Sequence, residues 1–297
     1  MTVTAWEPRT VTDEAVVEPG PVTALQSLLD DGLTSLGAGD PLPPLWHWVA
    51  LPQWSPSGLL GDDGHPRRGS FLPPVPLPRR MFAGGRVRIL APLGIGSTVR
   101  RESVVTDVVE KQGRSGSFVV VDVATRLHNQ DGDLAVDESQ TIVYRAADSA
   151  RPAGDGQTRL ADAARMKPVG PPLVRRRSWE WSLTTDPTLL MRFSAATANA
   201  HRIHYDWPYA TEVEGYPGLV VHGPLLSLAL AEVARLEGVA GITGLSHRNL
   251  APLFCGTTAT VTRADANPDG GTTLTLAAQD TPCTSLTFWT TDERQHS

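Results

Sequence analysis

The sequence predicts an α+β protein in which mostly antiparallel sheet wraps around helices. Three observations carry this. Runs at 86–90 (RVRIL), 98–111, 115–129 and 135–147 are rich in β-branched residues and alternate in polarity, and GITGLSHRNL, CGTTATVTRA, GTTLTLAAQ and CTSLTFWTT repeat that pattern at the end of the chain. HGPLLSLALAEVARLEG (222–238) is helical in spacing but apolar on nearly every face, so it needs cover on all sides. Helical material followed by strands occurs twice, in 1–148 and in 175–297, on either side of a stretch at 149–174 rich in Ala, Gly, Pro, Asp and Arg that reads as a linker.

Taken in order, 22–37 (VTALQSLLDDGLTSLG) has apolar positions at helical spacing and ends at glycine. The proline-dense segments that follow, PLPPLWHW and HPRRGSFLPPVPLPRRMFAGG, predict extended, irregular surface chain, because proline neither continues a helix nor donates to a ladder. Gln112 to Gly116 reads as the hairpin turn between two strands. In the second half SWEWSL (178–183) is strand-like. A helix is expected over 186–200, with Asp186 as its cap and Pro187 in its first turn. A loop is expected from His201 to Pro217, and the apolar helix opens at Gly223-Pro224 and closes at Gly238.

With 297 residues, 40% hydrophobic and 20% charged, the composition is that of a globular protein rather than a disordered one. No window approaches the ~18 uninterrupted apolar residues of a membrane span. The polar, acidic start lacks the pattern of a secretory signal, so a cytoplasmic location is expected. Two cysteines, Cys255 and Cys283, exclude a disulfide framework and a multi-cysteine metal site. A net charge of −6 weighs against nucleic acid as partner. All of the 26 basic residues except Lys111 and Lys167 are arginine, a side chain suited to fixed anions, although arginine-rich coding explains the total as well.

The densest polar cluster is FSAATANAHRIHYDWPYA, with Asn199, His201, Arg202, His204, Tyr205 and Asp206 following a helix. An amide that holds a water and an imidazole that takes its proton, five residues apart as Asn199 and His204 are, make a minimal hydration apparatus. The competing reading is a helix end capped by Asn199 with solvent-facing histidines. In EGYPGLVVHGPL, Gly223 opens the buried helix, where unpaired N–H groups and the helix dipole favour a thioester oxygen gaining enolate charge. His201, His204, Asp206 and His222 lack the firm spacing of a metal motif, so no metal is expected. Ser227 sits in GPLLS rather than a nucleophile elbow. GGRVRILAPLGIG has neither a dinucleotide fingerprint nor a P-loop lysine. Trp46, His47, Trp48 and Trp54 suit either core or the wall of an acyl pocket. Arg67, Arg68, Arg79 and Arg80 suit either a solvated face or an anionic ligand.

FSAATANAHRIHYD…YA…EGYPGLVVHGPL resembles the hydratase signature of the MaoC-like hot-dog enzymes, and most of all the type 2 hydroxyacyl-thioester dehydratase branch. PLPPLWHW, LGDDGHPRRGSFLPPVPLPRRMFAGG and SHRNLAPLF extend the resemblance to the bacterial mesaconyl-C4-CoA (3-methylfumaryl-CoA) and itaconyl-CoA hydratases, over about residues 25 to 290. The resemblance implies a double hot-dog fold, two curved antiparallel sheets each wrapped around a helix, with 22–37 filling the first and 223–237 the second. It implies a hydro-lyase that adds water reversibly across an enoyl thioester, most of all a C4–C5 dicarboxylic enoyl-CoA. The alternatives are a (3R)-hydroxyacyl-ACP or -CoA dehydratase of fatty-acid or polyketide metabolism and a non-catalytic acyl-thioester binding protein. The general hydratase pattern has aspartate, then asparagine two residues on, then histidine three further on. Here those places hold Asn199, His201 and His204. Asn199 would orient water, His204 would carry the proton and Gly223 would offer the oxyanion N–H. Trp46, His47, Trp48, Arg79, Arg80, His201, Arg202 and His222 are the expected substrate-binding residues. No cofactor is implied, since coenzyme A arrives as the thioester. The expected partner is the acyl-CoA, with no nucleic acid, no membrane and, as one option, a homodimer.

Overall fold

The computed structural model describes residues 6–113, 116–146, 166–264, 267–268 and 270–291. Its strands are β1 Val11–Val16, β2 Arg79–Ile89, β3 Thr98–Gly113, β4 Gly116–His128, β5 Leu134–Arg145, β6 Leu173–Arg177, β7 Glu180–Leu183, β8 Ile242–Asn249, β9 Ala259–Arg263, β10 Thr272–Ala278 and β11 Thr281–Thr290. The helices are α1 Pro19–Leu29, α2 His47–Ala50, α3 Pro187–Ala196 and α4 Gly223–Leu236. The strands form one antiparallel sheet in the order β1-β3-β4-β5-β2-β8-β11-β10-β9-β7-β6. The order is nearly symmetric about the β2–β8 pair, so the chain builds the same strand arrangement twice and joins the two copies along one ladder, Gly84↔Arg248 to Arg88↔Gly244. This is the double hot-dog architecture.

α4 is the helix of the second hot dog. Every residue from Leu225 to Ala234 is buried, with β8, β10, β11 and β2 packed around it. Its two buried polar residues have partners. Ser227 Oγ lies 3.0 Å from His247 Nδ1, and Glu232 accepts from Trp46 and Arg235. α3 starts as its sequence predicts. Asp186 accepts from the N–H groups of Thr188 and Leu189 at 2.7 and 3.1 Å, and Pro187 occupies the first turn.

Other expectations need correction. The first helix is Pro19–Leu29, not 22–37. It ends where Asp30 turns left-handed, and Asp31 is held by Arg235 of α4. It packs chiefly on α2 and α3 rather than along the inner face of the first-half strands. MFAGG is not irregular: it continues β2 back to Arg79, in register with β5 across a bulge at Phe82/Gly84. SWEWSL is split, with Ser178 and Trp179 (φ 58°) turning β6 into β7. The expected loop at 201–217 contains a 3₁₀ turn at Arg202–His204 and a wide helical turn at Tyr209–Val213. Of the expected linker, 149–165 lies outside the described residues and 173–174 belong to β6. The proline-rich stretch is tied down by Arg68, whose guanidinium donates to the carbonyls of Val75, Leu77 and Pro78. Among the described residues no helix is long and apolar enough to cross a membrane.

Candidate active site

The inner face of the first-half sheet carries two apolar clusters. One is around Val105, Val121 and Tyr144, and the other belongs to the main core at Val99, Leu127 and Val136. Between them run Ser103, Thr125, Glu138 and Gln140, and over them lies a cavity of about 750 Å³ that reaches across β2 to the N-terminus of α4. In the second hot dog this space is filled by a helix. Here no helix among the described residues fills it, which leaves room for a ligand.

His204 lines that cavity while 6% exposed. The 3₁₀ turn points its Nδ1 at the carbonyl oxygen of Val220, 2.7 Å away, so Nδ1 carries the hydrogen and Nε2 keeps its lone pair. Val220 is fixed in turn by its N–H to Ile203 O and by a bridge to Phe254. His222 stacks on the other face of the His204 ring (centroids 3.6 Å, planes 19° apart), and its own Nε2 meets Ser194 Oγ at 2.8 Å. Burial, with His222 and His201 nearby, holds the His204 pKa well below the usual 6.5 against the opposing Val220 bond, and burial brings His222 down to about 3. Both rings are therefore neutral at pH 7.

Asn199 follows Ala198, whose left-handed φ of 52° reverses the chain at the end of α3. Its Oδ1 accepts the His201 N–H at 3.1 Å, leaving the amide NH₂ for the cavity it lines. Gly223 lines the same cavity as the first residue of α4, and among the described residues its N–H has no protein acceptor. A Cβ here would stand 2.6 Å from Asn249 Nδ2, which donates to Phe82 O. Only glycine allows that approach.

His201 lies beside His204 (5.5 Å, 89°) and places Nε2 3.1 Å from Glu214 Oε1. The first half closes this side. Gly64 lies so near Ala200 that any Cβ would meet its oxygen at 1.9 Å, which seats the 61–65 turn on the 199–206 loop and sets the His65 ring against that of His201 (centroids 4.2 Å, planes 39° apart). Asp63, bonded to His65, has burial acting to raise its pKa, but His65 holds it down to about 2. Burial and the Arg80 charge lower His65 to about 3. Asp63, His65 and His201 place ligand atoms within 4.8 Å of one another, so they could hold a divalent cation, although Arg80 sets a positive charge against one there. On the opposite wall Glu138 accepts from Trp48 (2.8 Å), Gln140 (2.8 Å) and His47 (3.0 Å). Burial works to raise the Glu138 pKa, but these partners keep it below the ordinary value.

His47, Trp48, Arg80, Asn199, His201, His204 and Gly223 therefore share one cavity. Four of the expected binding residues do not reach it. Trp46 is core, 1% exposed, with its Nε1 turned to Glu232. Arg79 alternates to the other side of β2 from Arg80, donates to Glu214 O and lies over the Tyr216 ring. Arg202 pairs with Asp206 and covers Tyr209 at the surface. His222 is fully buried behind His204. The sequence reading missed Glu138, Gln140, Asp63, His65 and Glu214. Glu214 and His65 lay within motifs already noted, EGYPG and HPRRG. Glu138 had no local signal, since its partner His47 lies 91 residues away and only the tertiary fold brings the two together.

The family Hydroxyacyl-thioester dehydratase type 2 matches residues 45–255, which span the 199–206 loop, the α4 N-terminus and the first-half wall of the cavity. The chain belongs to this family. It is an enzyme of the hydro-lyase class. It is 43% identical over 250 residues, 84% of each chain, to the mesaconyl-C(4)-CoA hydratase of Chloroflexus aurantiacus. It is 27% identical over 232 residues, 70% of this chain and 69% of the relative, to the mitochondrial hydroxyacyl-thioester dehydratase type 2 of Schizosaccharomyces pombe. Among solved structures, a MaoC-like dehydratase superposes with a TM-score of 0.65 at 14% identity over 95% of this chain and 97% of that one. HtdX of Mycobacterium tuberculosis does so with 0.60 at 20% identity over 94% and 99%. A further M. tuberculosis protein with a double hot-dog fold gives 0.57 at 17% identity over 96% of both chains. At these identities the structures speak for the fold.

Proposed function

We propose that this enzyme adds water reversibly across the C2=C3 bond of a C4–C5 dicarboxylic enoyl-CoA of the mesaconyl-C4-CoA or itaconyl-CoA kind. The observation that carries the substrate charge is Arg80. Its side chain lines the cavity from β2, and among the described residues it has no hydrogen bond or ion pair. Burial lowers its pKa, with Tyr144 and Asp63 acting to keep its charge. A guanidinium that borders a cavity and has no hydrogen-bonded acceptor suits a carboxylate, whose two oxygens it can hold at once. Glu138, Gln140, Thr125 and Ser103 set polar groups among the apolar side chains of the cavity, such as Leu127, Ile142 and Val143, where a fatty chain would need a wholly apolar tunnel. The named substrate of the Chloroflexus relative has the same character.

In this reading Asn199 holds the water, and His204 Nε2 takes its proton as the oxygen attacks C3. The thioester oxygen collects enolate charge on the Gly223 N–H at the positive end of α4, and C2 is then protonated. The stacked, neutral His222 keeps the His204 ring in place. The test is a hydration assay on mesaconyl-C4-CoA, itaconyl-CoA, crotonyl-CoA and a medium-chain enoyl-CoA with wild type and Arg80→Gln. Arg80→Gln should reduce turnover of the dicarboxylic substrates at least tenfold more than that of crotonyl-CoA. Equal losses on all CoA substrates would assign Arg80 to the carrier. A wild type preferring the medium chain would mark an acyl-chain dehydratase.

A further inference from the structure

Hydration removes one proton from water and delivers one to C2, yet Asn199 cannot ionise, which leaves His204 as the one proton carrier at the water. The cavity contains a second imidazole built for proton transfer. His201 lines it while 4% exposed, and its ring is 5.5 Å from that of His204. Its Nε2 is fixed on Glu214 Oε1 at 3.1 Å, its backbone N–H is held by Asn199, and among the described residues Nδ1 has no protein hydrogen bond. Glu214 is itself held at its backbone, its N–H donating to Tyr209 O and its carbonyl accepting from Arg79. A ring nitrogen oriented by a carboxylate, with the other nitrogen open to the reacting atoms, is the arrangement of an oriented acid or base. The other groups around His201 are His65 and Asp63 from the 61–65 turn, Arg80 acting on His65 from β2, and neutral His222 beyond His204.

We propose that His201, positioned by Glu214, is the acid that protonates C2, so that the reaction uses two histidines where one was expected. The proposal rests on the hydratase reading above. The water O–H bond breaks, its oxygen bonds to C3 and its proton goes to His204 Nε2. The enolate then takes the His201 Nδ1 proton at C2, leaving His201 neutral and His204 as imidazolium. Proton transfer back from His204 to His201 through cavity water restores the enzyme, and dehydration runs through the same steps reversed.

The experiment is kcat and KM on mesaconyl-C4-CoA for wild type, Glu214→Gln, Glu214→Asp, His201→Asn and the double variant Asn199→Asp/His201→Asn. Glu214→Gln removes the carboxylate that orients the ring, so kcat falls at least tenfold with KM little changed, and Glu214→Asp, which returns a carboxylate, regains part of the loss. His201→Asn lowers kcat by ~10²-fold or more, again with KM little changed. The double variant returns a carboxyl group to position 199 and regains at least tenfold over His201→Asn. A His201→Asn enzyme within threefold of wild type, or a Glu214→Gln enzyme with unchanged kcat, would overturn the assignment. Should His201→Asn fail to fold, the split of kcat against KM in Glu214→Gln and Glu214→Asp alone decides. A wild type inert on every enoyl-CoA of the panel would overturn the hydratase reading itself, which is a different failure from a working enzyme indifferent to His201.

Discussion

His204 is suited to the proposed role of base by what surrounds it: a carbonyl on Nδ1, a stacked neutral imidazole on one face and burial that keeps it uncharged. His204→Ala should lower turnover by ~10²–10⁴-fold while circular dichroism and the melting profile stay native-like, and near wild-type turnover would remove it from the mechanism. Because its pKa lies well below 6.5, the acid limb of the rate profile should fall below that of an ordinary histidine, so that activity persists at pH 6. Asn199 works through one amide, its oxygen already committed to the His201 N–H. Asn199→Ala should slow the reaction yet leave measurable turnover, and full turnover would show that water is held elsewhere. These two residues were legible because they fall within five positions of one another in a loop. Glu138 and His47 were not legible as a pair, because 91 residues separate them and one stands on β5 while the other opens α2. Arg79 and Arg80 look equivalent in sequence. Strand alternation sends one to Glu214 and the other to the cavity.

α4 joins fold and chemistry, since its body fills the second sheet and its first N–H faces the cavity. Gly223→Ala would press a Cβ to 2.6 Å from Asn249 Nδ2 and 3.3 Å from the Phe82 ring. Asn249 is held at both ends, by Phe82 O and Thr284 Oγ1, so the helix start must yield instead. Turnover should fall by at least tenfold, with a melting temperature within a few degrees of wild type. A fully active, fully stable Gly223→Ala would place the oxyanion donor elsewhere. The sequence showed α4 by its continuous apolar composition and α3 by Asp186-Pro187, and the long strands by β-branched alternation. It did not show β1, where alternation is brief, or the true span of α1. There Gly20 and Pro21 mimic a loop while Pro19 opens the helix, and the apolar run past Leu29 continues in extended chain.

The two halves divide the work unequally although their strands mirror each other. The second contributes the proposed acid–base groups and the helix N-terminus. The first, with no central helix among the described residues, holds the cavity and supplies Arg80, His65 and the Glu138 wall. Joining them buries imidazoles at the centre of the molecule, and this has a consequence for stability. Burial lowers His65 and His222 to about 3 and His247 to about 4, and places His204 well below 6.5. Each binds its proton more readily once unfolded, so unfolding takes up protons, and stability is lost as pH falls from ~6.5 toward those values, by up to ~1.4 kcal/mol per pH unit for each ring. Asp63, lowered to about 2, adds to the loss only below its ordinary 3.8. Glu232 acts in the opposite sense. Burial raises its pKa to about 7 against Arg235, so its contribution is full below 4.5 and is lost as pH rises through 7. One glutamate opposes four histidines, so the melting temperature should drop from pH 7 to pH 5 by several degrees or more. His247→Gln keeps a hydrogen-bond partner for Ser227 while removing one titrating ring, and it should make that dependence shallower. Thermal melts at half-unit pH intervals read both effects. A melting temperature that is flat or rises on acidification would mean that water reaches these rings in the folded state and that the joined halves do not keep them dry.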